Sequence, residues 1–192
     1  MLKRTTTILI LLLFLFLGST HSYAQHFAIN NNLLFDAAGA LSAGVEIPLS
    51  KKTSLEGYGS IRPWKRGNNS VHKHWTAQTQ FRIWPCQVMN GFFFGPYCHV
   101  SEFNLGNQDL FFGLLDGLKP NRYEGWLVGG GIGGGYEYPI AMHWNIGAEI
   151  GLGYTYIHAK KYDCEVCGKK KANESYNYVG VSRLALSIIY VF

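Results

Sequence analysis

Beyond residue 25, apolar side chains fall on every second position in one segment after another. In 40–48, Leu41, Ala43, Val45 and Ile47 alternate with Ser42, Gly44 and Glu46. In 74–84, Trp75, Ala77, Phe81 and Ile83 alternate with His74, Thr76, Gln78, Gln80 and Arg82. Segment 144–156 sets Trp144, Ile146, Ala148, Ile150, Leu152, Tyr154 and Tyr156 against Asn145, Gly147, Glu149, Gly151, Gly153 and Thr155. The last segment sets Leu184, Leu186, Ile188, Tyr190 and Phe192 against Arg183, Ala185 and Ser187. Successive side chains of a strand point to opposite faces, so each segment has one apolar face and one small or polar face. The pattern predicts about eight strands, at 26–35, 40–48, 53–62, 74–84, 91–101, 124–138, 143–157 and 177–192. Most reach the ~9 residues that a tilted strand needs to cross a bilayer.

A soluble sandwich also alternates, and two details decide against it. Charges within strands keep to the polar face: Glu46, Glu56, Arg82, Glu137, Glu149 and Arg183. A charge facing lipid costs roughly 2–4 kcal/mol at midplane, so lipid would impose this sorting. The apolar faces also carry aromatics at their ends. Trp75, Trp126, Tyr154 and Tyr156 belong to one rim, and Phe92, Tyr136, Tyr138, Trp144, Tyr190 and Phe192 to the other. Two aromatic girdles around an aliphatic band point to a transmembrane barrel. The connections 36–39, 63–73, 102–123 and 158–176 fall at one end and three of them are long, while 49–52, 85–90 and 139–142 are short. The expectation is an all-β, closed antiparallel transmembrane β-barrel, an up-and-down meander of about eight strands, spanning 25–192 as a monomer among outer-membrane lipids. The chain stops on Phe192 after Ile188 and Tyr190, a C-terminal signal of the kind read by the barrel-insertion machinery.

The first residues fit export. Lys3 and Arg4 precede an apolar run from Ile8 to Leu17, and Ser22-Tyr23-Ala24 offers small residues to a signal peptidase. The run is too short for a spanning helix. Residues 1–24 therefore read as a cleaved secretory signal. Removing it lowers the formal charge from +5 to +3, which gives no case for nucleic acid. The glycines of 129–135 do not make a phosphate loop, because strand pattern continues on both sides and no helix follows. They let a barrel strand bend and let neighbouring rings lie over it.

The stretches Asn32-Leu33-Leu34-Phe35-Asp36-Ala37, Gly44-Val45-Glu46, Lys73-His74-Trp75, Phe81-Arg82-Ile83-Trp84, Arg122-Tyr123-Glu124-Gly125-Trp126, His143-Trp144-Asn145, Gly151-Leu152-Gly153-Tyr154 and Ile188-Ile189-Tyr190-Val191-Phe192 span nearly the whole mature chain. In these the chain resembles an uncharacterised domain-of-unknown-function family of small bacterial outer-membrane proteins. The resemblance implies no activity and no catalytic residues. It does imply a neighbourhood of fimbrial-type surface genes, hence a surface-assembly role with a surface-protein partner.

Candidate chemistry is sparse. Cys164 and Cys167 lie in a polar loop with Lys169-Lys170-Lys171. The exported context favours a loop-closing disulfide over a redox pair. A zinc site needs four ligands, and His158 is the only histidine nearby. Cys86 and Cys98 should be out of register and are not joined. The interior charges could form a relay, but a small barrel has room only for side chains or one small ligand, so paired filling is the better reading. A lipid-modifying enzyme would need a serine and a histidine together near the rim. Ser182 has outward parity, but its place opposite 152 keeps it from His158. No cofactor is expected. Loop 102–123 carries Phe103, Leu105, Phe111 and Phe112, unusually apolar for a solvated loop. It is the expected contact with a partner, although it could instead extend the strands or cover the mouth.

Overall fold

The computed structural model of the chain describes residues 27–63, 71–106, 122–162 and 170–192. Eight strands follow one another around a closed barrel, each antiparallel to its neighbours, with β1 closing on β8. They are β1 (Ala28–Asn32), β2 (Leu41–Ser50), β3 (Thr53–Arg62), β4 (Val71–Ile83), β5 (Gly91–Gly106), β6 (Arg122–Ala141), β7 (Trp144–Tyr162) and β8 (Lys170–Val191), with a five-residue helix α1 (Leu33–Ala37) after β1.

The alternation dictates which way the wall faces. Ile132 is 68% exposed and Leu152 60% on the outer surface, while Glu46 is wholly buried within. Lumen and exterior thus exchange the usual places of polar and apolar groups. The start of β1, the end of β8 and the short turns share one end, called lower here. Helix α1 and the facing ends of β3 and β4, β5 and β6, and β7 and β8 share the upper end.

One ladder row fixes the slope. From Ala28 it passes through Glu46, Glu56, Gln80, Tyr97, Gly131 and Gly153 to Gly180. Ala28 also pairs with Val191, eleven residues from Gly180 along β8, one of them the bulged Ser182. That stagger is what tilts barrel strands by about 40° to the axis.

The wall is uneven. A second row runs Asn30, Gly44, Tyr58, Gln78, His99, Gly129, Thr155, Tyr178. Above it β1, β2 and β3 continue for two, three and four residues, but β4 to β7 for seven and β8 for eight.

The lower mouth is closed by the chain itself. Trp84 N–H donates to the Lys52 carbonyl (2.8 Å) and Val88 N–H to that of Lys51 (3.3 Å), folding residues 84–90 across the opening. Met89 holds φ +61° there, and the Asn145 amide donates to its carbonyl at 2.7 Å. Met89 packs with Ala28 and Ile189, the only apolar cluster buried among the described residues.

Several expectations change. The first strand stops at Asn32 rather than 35, because Asn32 caps a helix instead: its side chain accepts from Leu34 N–H at 3.1 Å. Phe35 then turns onto the lumen-facing rings of Tyr58 and His74, at 6.0 and 6.1 Å. The upper hairpins are taller than expected. β5 continues to Gly106 and β6 starts at Arg122, so 102–123 shrinks to 107–121; 158–176 shrinks to 163–169 and 63–73 to 64–70. Phe103 is consequently a half-buried β5 residue, paired with Gly125, rather than a loop residue. Leu105 is also on β5, opposite Tyr123. Phe111, Phe112, Cys164, Cys167 and the signal segment 1–24 lie outside the described residues.

Candidate functional site

The charges at the centre of the lumen come from six strands. Glu46 is on β2, Glu56 on β3, Arg82 on β4, Glu137 on β6, Glu149 on β7 and Arg183 on β8. All six are buried. Inward parity and the stagger of the ladder bring them to a common level, with Arg82 at the centre. Its Nη1 meets Glu46 Oε2 at 2.5 Å and Glu137 Oε1 at 3.2 Å; its Nη2 meets Glu56 Oε1 at 2.9 Å and Glu149 Oε2 at 3.1 Å. Nε donates to Gln80 Oε1 at 2.9 Å, and the guanidinium lies 4.4 Å over the Phe93 ring. Arg183 joins Glu149 through Nε at 2.7 Å and bonds Glu56 through Nη2. Asn30 donates to Glu56 (2.7 Å) and Ser54 to Glu46 (2.5 Å).

Such a cluster fills and rigidifies. Two guanidiniums face four carboxyls, and Glu137 Oε2 is buried without a hydrogen-bond partner among the described residues. Below it the Trp84 and Phe93 rings pack at a tilt with centroids 4.8 Å apart, and Trp84 Nε1 donates to Ser54 Oγ at 2.8 Å. The space left among Asn30, Arg82, Phe93, Glu137 and Ile189 is water-sized. Above it the lumen is crossed by short polar contacts: Tyr97 hydroxyl to Ser182 (2.5 Å), His99 to Thr155 (3.3 Å) and His74 to Ser60 (3.4 Å). Arg62 Nη1 donates to the Ala38 carbonyl at 2.7 Å and pins α1 over this chamber. Among the described residues no three of His, Cys, Asp and Glu form a metal-ligating group. Cys86 and Cys98 are exposed free thiols.

Ser182 does not have the outward orientation that simple parity gives it. It is the extra residue of the β8 bulge between Gly151↔Arg183 and Leu152↔Val181, and its hydroxyl turns in to Tyr97. The serine beside His158 is Ser175, its ladder partner: Oγ lies 3.1 Å from His158 Nδ1 and accepts from the Tyr156 hydroxyl at 3.1 Å. This exposed group belongs to an outward row at the upper rim. Trp75 Nε1 donates to Glu102 (2.8 Å) two strands away from Trp126, whose ring lies 6.0 Å from His158.

A family model described as a protein of unknown function, DUF3575, matches residues 9–192. The chain belongs to the DUF3575 family. No curated protein matches it. The function of the DUF3575 family is unknown.

Three groups of this DUF3575 barrel escaped the sequence reading. Asn30, Asn31 and Asn32 each use their side chains, toward Glu56, the Ser42 carbonyl and β8 respectively. The inward Phe93 and Tyr97 fill the lumen beside glycine positions. A Cβ on Gly135 would lie 2.7 Å from Phe93, and one on Gly151 2.7 Å from Tyr97. Trp84 closes the floor. The signal was available: glycines at inward positions of β6 and β7 leave volume that large inward residues of β5 must occupy.

Proposed function

We propose that this protein is a non-enzymatic outer-membrane anchor. Its sealed barrel spans the bilayer and holds the tall β5–β6 and β7–β8 hairpins outside as contact surfaces for surface assembly of the fimbrial type. The observation that carries the reading is the reversal of polarity, with Ile132 and Leu152 exposed around a lumen holding Arg82 and its four glutamates. Water would favour the opposite sorting, and lipid requires this one. The start of β1, the end of β8 and the short turns all lie at the lower end, which fits a barrel with that end in the periplasm and the tall hairpins outside. The mature chain is expected in the outer-membrane fraction, running faster on a gel before boiling than after. Recovery in the soluble periplasm would sink the anchor.

The lumen bears on what kind of membrane protein this is. Among the described residues the floor of Trp84, Phe93 and Met89 and the charge layer fill the lumen down to a water-sized space, with α1 above. Purified barrel in a planar bilayer is expected to show no discrete conductance steps; steady single-channel openings would mean a pore. Replacing residues 107–121 by a glycine–serine turn is expected to leave the barrel inserted and to remove the surface phenotype of a gene deletion.

A second reading, a lipid A- or phospholipid-modifying enzyme, is favoured by one observation. Ser175 can donate to His158 Nδ1 while accepting from Tyr156, on the outer face near the headgroup level. An imidazole so placed would take the serine proton as Oγ attacks an acyl ester. Among the described side chains no carboxylate orients His158, and the anchor is preferred on the polarity of the wall. Lipid mass spectra of a Ser175→Ala strain are expected to match wild type; a retained acyl chain in the variant would reverse the preference.

A further inference from the structure

The charge layer does not balance. Four carboxyls, those of Glu46, Glu56, Glu137 and Glu149, meet two guanidiniums, those of Arg82 and Arg183. With every group ionised, two negative charges are left over. All six side chains are buried. An uncompensated charge in so dry a place gains a partner or is neutralised.

The donors are shared unevenly. Glu56 is met by Arg82, Arg183 and Asn30. Glu46 is met by Arg82 and Ser54, and each oxygen of Glu149 lies against a guanidinium. Glu137 has one contact, from Oε1 to Arg82 Nη1 at 3.2 Å, the longest of these ion pairs. That same Nη1 also serves Glu46, at 2.5 Å. Glu137 is 1% exposed, and its Oε2 has no hydrogen-bond partner among the described residues. Asn145, two residues along β7 from the ladder partner Gly147, gives its amide to the Met89 carbonyl instead. The charged groups that face Glu137 are Glu46 on β2, Glu56 on β3, Arg82 on β4, Glu149 on β7 and Arg183 on β8. From β1 and β5 it meets only the uncharged Asn30 and Phe93.

We propose that Glu137 is a proton-binding site, filled from solvent as the ring closes. The new O–H bond forms at the stranded Oε2, while Oε1 goes on accepting from Arg82. A proton is the cation that fits. It takes up no space and brings the layer within one charge of balance. A metal ion fits badly. The space beside Glu137 is only water-sized, Phe93 and Ile189 form part of its wall, and Arg82 lines it with positive charge. Closing the barrel is thereby coupled to proton uptake, and alkaline surroundings favour the open chain. This holds for any environment that keeps the layer dry, so it does not depend on the anchor reading.

A folded state that binds one proton more than the open chain loses stability as pH rises, by about tenfold in the folding constant per pH unit. The test follows the urea midpoint of the full chain in detergent micelles from mildly acid to alkaline pH, for wild type and Glu137→Gln. The amide keeps an acceptor for Arg82 and carries hydrogens where the proton sat, so the variant should fold. Its curve should be flatter than the wild type's by that tenfold per unit. Infrared spectra of the wild type in heavy water should show the carbonyl stretch of a protonated carboxyl at neutral pH, and Glu137→Gln should lack it. Glu56→Gln removes a carboxylate held by three donors and should lower the midpoint while keeping the band. Parallel pH curves, or a wild type without the band, overturn the site. A midpoint raised by sodium or potassium ions, with no band, would give it to a metal ion instead. If Glu137→Gln does not fold, the wild type decides: unfolding it in unbuffered urea at mildly alkaline pH should release about one proton, and no release overturns the proposal. The anchor reading fails separately, on recovery of the chain without membranes.

Discussion

Arg82→Ala will not hold a closed barrel. The change removes one guanidinium from among Glu46, Glu56, Glu137 and Glu149, all buried, and leaves Arg183 touching only two of them. Breaking a buried ion pair from one side costs about 3–5 kcal/mol because the partner is left charged and unsolvated. Here four partners are affected, and a small barrel has only about 5–15 kcal/mol to lose. Refolding into micelles should yield little or none of the fast-migrating species. Arg82→Lys keeps the charge but not the planar fork, and should fall between the two. Adding Glu46→Gln and Glu137→Gln to Arg82→Ala should recover folded protein, since the cost lies in the stranded carboxyls. Full folding of Arg82→Ala alone would mean that the lumen is wet enough to hydrate them.

Gly151→Val is the second large effect. A Cβ there would sit 2.7 Å from Tyr97 Cε1 and 2.9 Å from Arg183 Cβ, so the added methyls have nowhere to go. Overpacking typically costs about 1–3 kcal/mol, and more when backbone cannot yield, as in a strand hydrogen-bonded on both edges. The urea midpoint should fall sharply in Gly151→Val and rise again when Tyr97→Ala is added. Failure of Tyr97→Ala to restore it would place the clash with Arg183 instead.

What the sequence made legible follows from a single physical rule. With side chains alternating between faces, the period-two pattern sorted Glu46, Arg82 and Glu149 to one side and Ile47, Ile83 and Ile150 to the other, and the barrel followed. The rule fails where a strand is irregular. At the β8 bulge one extra residue turns Ser182 inward, and no composition marks it. At Asn32 the side chain takes over backbone hydrogen bonds, so an apolar run that looks extended, Leu33 to Phe35, winds into α1 instead. Hairpin height was misjudged because ladder pairing does not require apolar residues on one face; Lys160 and Asn173 pair as Ile150 and Leu184 do. The neighbours of the charged residues were beyond reach for another reason: which glutamate meets which arginine depends on stagger, and stagger is a property of the closed ring.

That dependence bears on assembly. Each of the six charges clustered around Arg82 and Arg183 is carried by a different strand, so no hairpin and no open sheet of three or four strands can bring all of them together. Until β1 reaches β8, across nearly the whole length of the chain, the glutamates and arginines must stay hydrated. Closure of the ring and dehydration of the charges are therefore one step, and partly zipped forms are penalised. A chain built this way should close all at once, with few partly closed species to catch.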